Sequence, residues 1–477
     1  MSAPKAGTGP QSVLIDQLAF AVRAAKFRFA ATLMKRTIIP LATEFALRLI
    51  RLVPGITAED LAAFFGFREA EVAVLIQDML ETSLVLERDG RFELSTKGLE
   101  AVSPLGDVEL FAAEEITAHL VLDLIAFAPI EEAELDKALT KCVPELPLPD
   151  RQRAANALSE APGAFEHHFH EWAQRFRKRS DDMRFRSVED VQQIRSLSVP
   201  VTIPINYRLD EPSQTEADFS ALRQAGIPNS RNPLIASLSA EIQRIGVSSE
   251  ADWAFETLSN IDGGVLKRLD LEDLSSVPPW IRSIIATEPS NDAETVPVFG
   301  SVVGDRVREK LVEWVTRLSS QANGPVFWLP PQLDHWGRSV AFDSLVRELR
   351  GALRDGITLL MRTDGSDHDR RRIARHFGSS QEHTRFDRCI GTKTSTLGGL
   401  EIIVQPGSFG MALVHSPDPR TGYPLPVGYL TTDALVVKEL AYYLGGLLHD
   451  LEPSSVIWHR TTESREHAFE ESTRILY

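Results

Sequence analysis

Apolar positions near the start of the chain recur at three- and four-residue steps, the spacing that places side chains on one face of a helix. This pattern runs from Val13 to Met34 and predicts an amphipathic helix within a leading segment of residues 1–39. Pro40 begins a second predicted helix, because proline suits the first turn of a helix. Pro54-Gly55 follows its end.

The pattern changes within residues 40–102. Thr57 is a suitable N-cap for a short helix that ends at Gly66, and a longer helix is predicted from Arg68 to Glu81. Two short runs on either side of Arg88-Asp89-Gly90 then predict a β-hairpin. Three helices followed by this hairpin resemble the winged helix-turn-helix family. The resemblance implies a module that binds DNA or protein.

Changes of composition divide the rest of the chain. Residues 103–300 predict a mixed α+β middle region, in which Val199 to Tyr207 is a strand with Gln193 to Ser198 as its candidate partner. Strands and helices alternate over residues 301–453, which predicts a layered α/β domain, and residues 454–477 follow as a C-terminal tail. The predicted fold class is therefore α+β and multidomain, with an N-terminal winged helix, a mixed middle region and a C-terminal α/β layered domain.

The α/β domain carries a second resemblance. A strand ending in Val414-His415, a short connection, a strand with Gly428 and a helix are similar to one half of a phospholipase D-like domain. The resemblance implies that His415 would attack phosphorus as a nucleophile. Pro417 stands where that family has its phosphate-binding lysine, and the family's aspartate position falls at Gly422. The resemblance therefore implies a degenerate phosphodiesterase, or pseudo-enzyme.

Another histidine follows the first strand of the same domain. His335 lies beside Asp334 in the loop after the strand Pro325 to Leu329, and such loops hold ligands in α/β domains. His335 is therefore a second candidate catalytic residue, with a role in proton transfer. His167 and Glu171 are one helical turn apart, but no further metal ligand accompanies them in the sequence, so no metal is expected.

Composition narrows the class of protein. Of the 477 residues, 43% are hydrophobic and 25% are charged, which is typical of globular domains. The two cysteines, Cys142 and Cys389, match neither a disulfide framework nor a metal spacing. The sequence shows no secretory signal and no membrane-spanning run, so we expect a cytoplasmic protein without membrane contact. Nucleotide-binding and nucleophile-elbow motifs are absent from it, so no cofactor is expected.

The net charge and the positions of the basic residues indicate where nucleic acid could bind. The net charge of -16 disfavours a protein coated in nucleic acid, and the predicted recognition helix, Arg68 to Glu81, carries four carboxylates that would repel DNA. Contacts would instead come from basic residues in the leading helix, in the wing, and in a segment where basic and aromatic residues interleave. These candidates are Arg23, Lys26, Arg28, Lys35, Arg36, Arg88, Arg91, Arg175, Arg177, Lys178 and Arg179.

Three functions fit these observations. The favoured one is a non-catalytic nucleic-acid- or protein-binding subunit of a bacterial multi-protein system, with anti-phage defence as an analogy of architecture. Its partners would be other protein subunits, such as an ATPase or helicase encoded nearby, and double-stranded DNA bound non-specifically. The alternatives are a phosphodiesterase or nuclease that uses His415, and a winged-helix transcriptional regulator.

Overall fold

The structure is a computed structural model, and it describes residues 12–103, 107–132, 143–177, 182–210, 213–224, 226–246, 251–286, 293–318, 324–377, 385–393, 398–460 and 463–477. The described residues form β-sheets of four, eight and three strands, with helices packed against them. This confirms the predicted α+β, multidomain fold class. None of the helices in the described residues combines the length and the apolar composition that a bilayer span needs.

The first element is a long strand, so the leading helix predicted for residues 1–39 is wrong. β1 (Ser12–Thr37) has 26 residues, a contour of about 80 Å at the rise per residue of a strand. In its first half both faces are buried, so apolar residues fall at every spacing, including three and four. In its second half the buried positions alternate, and these are Ala25, Phe27, Phe29, Ala31 and Leu33.

A small module follows β1, and we call it the distal module (residues 40–102). Its elements are α1 (Leu41–Leu52), β2 (Ile56–Thr57), α2 (Ala58–Phe65), α3 (Glu69–Glu81), β3 (Val85–Arg88), β4 (Arg91–Leu94) and α4 (Thr96–Ala101), with the strand order β2-β4-β3. Thr57 and Asp60 cap the start of α2 with reciprocal hydrogen bonds, and Gly66 ends it with a φ of 70°. Asp89 and Gly90, with φ values of 51° and 73°, form the tight turn between β3 and β4. The helices and hairpin predicted for this stretch are therefore present.

The distal module is inserted into a β-hairpin. β5 (Leu110–Asp123) returns antiparallel along β1, beginning with the pair Thr37 and Leu110. On its other side β1 pairs antiparallel with β6 (Met183–Arg208), and β7 (Gln214–Ala217) completes the order β5-β1-β6-β7. The predicted boundary between a middle region and the leading segment is therefore wrong, because β1, β5 and β6 belong to one sheet, which we call the long sheet.

Helices cover one face of the long sheet at the end nearer the distal module. They are α5 (Arg151–Ala155), α6 (Ala157–His167) and α7 (Phe169–Arg177). Phe165 of α6 stacks on Phe29 of β1 with ring centroids 4.6 Å apart. The predicted pairing of Gln193 to Ser198 with Val199 to Tyr207 is wrong, because both segments lie consecutively in β6 and pair with β1 instead.

The other end of the long sheet packs against the rest of the chain. A layer of short helices lies in this region, formed by α8 (Ser220–Gln224), α9 (Asn232–Ile242), α10 (Ala251–Ile261), α11 (Val265–Arg268) and α12 (Val277–Ala286). Ile15 and Leu18 of β1 share one core with Leu258 of α10 and Leu440 of the last domain. The long sheet and the last domain are thus joined by a continuous hydrophobic core.

The last domain is an eight-stranded sheet with helices. Its elements are β8 (Thr295–Phe299), α13 (Asp305–Leu318), β9 (Val326–Leu329), α14 (Val340–Ala352), β10 (Ile357–Arg362), α15 (Asp367–Phe377), β11 (Arg388–Thr392), β12 (Leu400–Gln405), β13 (Phe409–Pro417), β14 (Pro424–Thr431), α16 (Ala434–Gly446), β15 (Val456–Trp458) and α17 (Arg465–Leu476). The strand order is β15-β11-β10-β9-β12-β13-β14-β8. β9, β10 and β11 are parallel, and the other neighbouring strands are antiparallel.

Both predicted boundaries of this domain need correction. β8 lies in the stretch assigned to the middle region, yet it pairs with β14 at one edge of the sheet. β15 and α17 lie in the stretch assigned to a tail, yet β15 pairs with β11 at the other edge. Edge strands of this kind are short and pair with partners far along the chain, so no local pattern indicates them.

Candidate functional site

The exposed face of α3 is the surface that a winged helix would place in a DNA groove. Small and apolar side chains occupy its centre, and Val74 is 71% exposed. Gln77 is exposed as well, but its side-chain amide donates to Glu81 Oε1 at 2.8 Å. The remaining exposed positions of α3 are Glu69, Ala70, Glu71, Ala73, Asp78 and Glu81. The helix therefore presents an apolar centre ringed by carboxylates.

Few cations accompany this surface. Arg68 precedes α3, and its backbone N–H donates to the Glu71 carboxylate at 2.8 Å. In the wing, Arg88 is exposed, and Arg91 Nη1 donates to the carbonyl oxygen of Gly55 at 3.0 Å. Over residues 40–102 the sequence has six basic and eleven acidic residues. The distal module is therefore acidic as a whole.

The basic residues of β1 lie along a strand rather than on the predicted helix, and most of them meet carboxylates. Arg28 is exposed opposite His119 of β5, and it has no carboxylate partner among the described residues. The ion pairs of β1 are Arg23 with Glu145, Lys26 with Glu132 at 2.7 Å, Lys35 with Glu114 at 3.5 Å, and Arg36 with Glu109 at 3.7 Å. Their charges are largely neutralised within the chain.

The remaining basic candidates belong to the end of α7. Arg175 forms an ion pair with Glu131. Arg177 ends the helix, but its side chain lies outside the described part of the structure, as do Lys178 and Arg179. Glu171, in the first turn of the same helix, accepts a hydrogen bond from the Arg231 guanidinium at 2.8 Å, and its other carboxylate oxygen lies 3.1 Å from His168 Nδ1.

A buried histidine lies in the last domain. His415, in β13, is 2% exposed, and its Nε2 is 3.1 Å from Glu401 Oε2 in the neighbouring strand β12. The other oxygen of Glu401 accepts indole N–H bonds from Trp328 at 2.9 Å and Trp336 at 3.0 Å. These bonds fix the Glu401 carboxylate, which in turn orients the imidazole. The His415 Nδ1 has no hydrogen-bond partner among the described residues.

The second predicted histidine lies beside the first. His335 Nε2 is 3.6 Å from Asp16 Oδ2 of β1. Asp16 also accepts hydrogen bonds from the Tyr423 hydroxyl at 2.7 Å and from the Ser301 hydroxyl at 2.8 Å. Burial would raise the pKa of Asp16, but the hydrogen bond and charge of His335, with the hydrogen bonds of Tyr423 and Ser301, outweigh it and hold the pKa below the usual value.

His335 and His415 border one small cavity of about 30 Å³, together with Asp16, Ser301 and Ser339. Such a cavity has room for a water molecule, and its walls offer several polar groups. His335 and Ser339 also border a larger cleft of about 290 Å³. The structure thus brings together the two histidines that the sequence singled out separately. Sequence reasoning missed Asp16 and Glu401, although each is an acidic residue within an apolar strand.

Comparisons with known proteins leave the family open. No family model matches the chain, and no curated protein matches its sequence. Among solved structures, the chain is similar to TrmBL2, an archaeal chromatin protein described as showing a novel mode of DNA binding. The identity is 8%, the match covers 86% of this chain and 93% of that one, and the TM-score is 0.21. A TM-score this low carries no argument about shared fold or function.

Proposed function

We propose that this protein is a non-catalytic, protein-binding subunit of a multi-protein assembly, and that its distal module is a winged helix that docks a protein through α3. One observation carries the proposal: the exposed face of α3 is apolar at Val74 and ringed by carboxylates. Exposed apolar surface with a polar rim is characteristic of protein interaction sites.

The same face is unsuited to reading DNA. Base edges and phosphates are contacted by Arg, Lys, Asn, Gln and Ser side chains. α3 offers Gln77, which is bonded to Glu81, and four carboxylates that would lie against the phosphate backbone. A winged helix can therefore be present here without the base contacts that the family makes in DNA complexes.

The chemistry of α3 defines its partner. An amphipathic helix docks into an apolar groove on another protein, and the acidic ring of α3 favours a groove bordered by Lys and Arg. The insertion of the distal module at the far end of β1 holds this surface away from the last domain. Such a placement suits a subunit that reaches a neighbour in an assembly.

The test is co-purification of the tagged full chain with each protein encoded beside its gene. Val74→Arg places a cation in the apolar centre, and we expect it to weaken the complex by at least about tenfold. Leu435→Arg is the matched control, because Leu435 is 76% exposed on α16 of the last domain. A complex that survives Val74→Arg unchanged would contradict docking through α3.

DNA binding is the outcome that would replace this proposal. Binding of the full chain to a short duplex should be weak and insensitive to Val74→Arg. Affinity that falls steeply with salt and is lost on Arg88→Ala and Arg91→Ala would establish a phosphate contact by the wing. Protection of one defined operator would favour the transcriptional regulator.

A second candidate function is phosphodiester hydrolysis at His415, which the phospholipase D-like interpretation of the last domain also suggests. The observation that favours it is the shared cavity of His335 and His415, each oriented by a carboxylate. Pro417 supplies no cation where the family's lysine stabilises phosphate oxygens. Hydrolysis of a chromogenic phosphodiester that is abolished by His415→Ala would support the enzyme, and hydrolysis unchanged by this substitution would exclude it.

A further inference from the structure

A second surface of the distal module is apolar, and it belongs to α1. This helix buries Thr43, Ala46, Leu47 and Ile50 on one side. On the other side Leu41 and Leu52 are 67% and 79% exposed, and Phe45 lies between them. The positions Leu41, Phe45, Arg48 and Leu52 follow the spacing of one helical stripe, and Ile38 and Val53 extend it at its two ends. We call this surface the α1 stripe.

We propose that a second copy of the chain covers the α1 stripe, with the two α1 helices antiparallel about a two-fold axis. In that arrangement Leu41 of each copy meets Leu52 of the other, and Phe45 meets Arg48. Both relationships are reciprocal, as an isologous interface requires. The Arg48 guanidinium already lies 5.4 Å from the centroid of the Phe45 ring within one chain, so a guanidinium over this ring is a geometry that the stripe accommodates.

Charge favours the same arrangement. Glu44 and Arg48 form an ion pair one helical turn apart, and an antiparallel copy presents these residues in reverse order. Each Glu44 can therefore contact the Arg48 of the other copy. Glu44, Arg48 and Arg51 are the charged residues of α1, so the stripe is close to neutral, whereas the other ten acidic residues of the distal module lie outside α1. This interface is independent of the partner proposed for α3.

The first measurement is the oligomeric state of the full chain by light scattering and analytical ultracentrifugation over a range of concentrations. We expect a concentration-dependent dimer. Leu41→Glu and Leu52→Glu should each raise the dissociation constant by at least about tenfold, while the control Leu435→Glu should leave it unchanged. A chain that is monomeric at all concentrations, or a dimer unaffected by both α1 substitutions, would overturn the proposal. Circular dichroism establishes that the variants remain folded.

The second measurement tests the antiparallel register. In a Cys142→Ser background, where the remaining Cys389 is buried, chains with Leu41→Cys are mixed with chains carrying Leu52→Cys and oxidised. We expect disulfide-linked dimers from the mixture and little cross-linking from either variant alone. Equal cross-linking of Leu41→Cys with itself would overturn the antiparallel arrangement. A protein complex that survives Val74→Arg, formed by a chain that still dimerises through α1, would refute the proposed function and leave this inference intact.

Discussion

The Tyr423 hydroxyl donates a hydrogen bond of 2.7 Å to Asp16 across 407 positions of the chain. Asp16 lies near the start of β1, and Tyr423 precedes β14 of the last domain. Both side chains are buried, and burial raises the pKa of the tyrosine well above its ordinary value. This contact, with those of Ser301 and His335, fixes the base of the long sheet to the last domain.

Removing the hydroxyl should loosen this junction. Tyr423→Phe leaves the Asp16 carboxylate buried with one donor fewer, and we expect the free energy of unfolding to fall by about 1–3 kcal/mol. Hydrogen exchange in β1 and β14 of the full chain measures the change. Tyr442→Phe is the control, because Tyr442 is 59% exposed, and an equal effect of both substitutions would contradict a specific role for the Asp16 contact.

The junction should also depend on pH. Because the folded-state pKa of Asp16 lies below its usual value, its ionisation stabilises the fold at pH values above the unfolded pKa of about 4. This contribution is lost as the pH falls through the folded pKa. We therefore expect the difference in melting temperature between the native chain and Asp16→Asn to shrink on acidification below about pH 4. A difference that grows on acidification would show the opposite sign of linkage.

The Glu401 carboxylate should be sensitive to its indole donors. Trp336→Phe removes the N–H that lies 3.0 Å from Glu401 Oε1 and leaves a buried acceptor with fewer partners. We expect a loss of about 1–3 kcal/mol in the stability of the last domain, measured by hydrogen exchange in β12 and β13. Trp253→Phe, at a site that is 52% exposed, should have little effect. Similar losses from both substitutions would contradict a specific role for the Trp336 indole N–H.

The capping of α2 offers a local test in the distal module. The Thr57 hydroxyl accepts from the backbone N–H of Asp60 at 3.2 Å, and the Asp60 carboxylate accepts from the backbone N–H of Thr57 at 3.1 Å. Thr57→Ala should destabilise the module by about 1 kcal/mol, seen as faster amide exchange in α2 and α3. Exchange in β13 of the last domain serves as the internal control. Faster exchange in both regions would indicate a global effect instead.

The distal module could be predicted from sequence because its determinants are local. Thr57, Gly66 and the turn at Asp89 and Gly90 act on residues within a few positions of themselves. β1 could not be predicted in this way, because it is a strand by virtue of partners that lie far along the chain in β5 and β6. Because both faces of its first half are buried, that half lacks the two-residue alternation of apolar and polar side chains that would indicate a strand.

The sequence predicted the two histidines of the candidate site, but it did not predict that they lie together. His335 and His415 were candidates because each lies at or just after the end of a predicted strand, where ligands bind in α/β domains. Their meeting at one cavity depends on the order of strands in the last domain, which a single sequence does not reveal. An acidic residue within a buried strand, as at Glu401 in β12, was the available signal for the carboxylate beside His415.

β1 connects the last domain to the distal module as one long strand. Asp16, near the start of β1, contacts the last domain, and Thr37, at the end of β1, lies beside the distal module. The register of β1 with β6 shifts at three points between these residues, but β1 remains one strand. Each degree of rigid tilt about Asp16 would therefore move the distal module by on the order of 1 Å. A tilt of this kind would change where α1 and α3 present their surfaces.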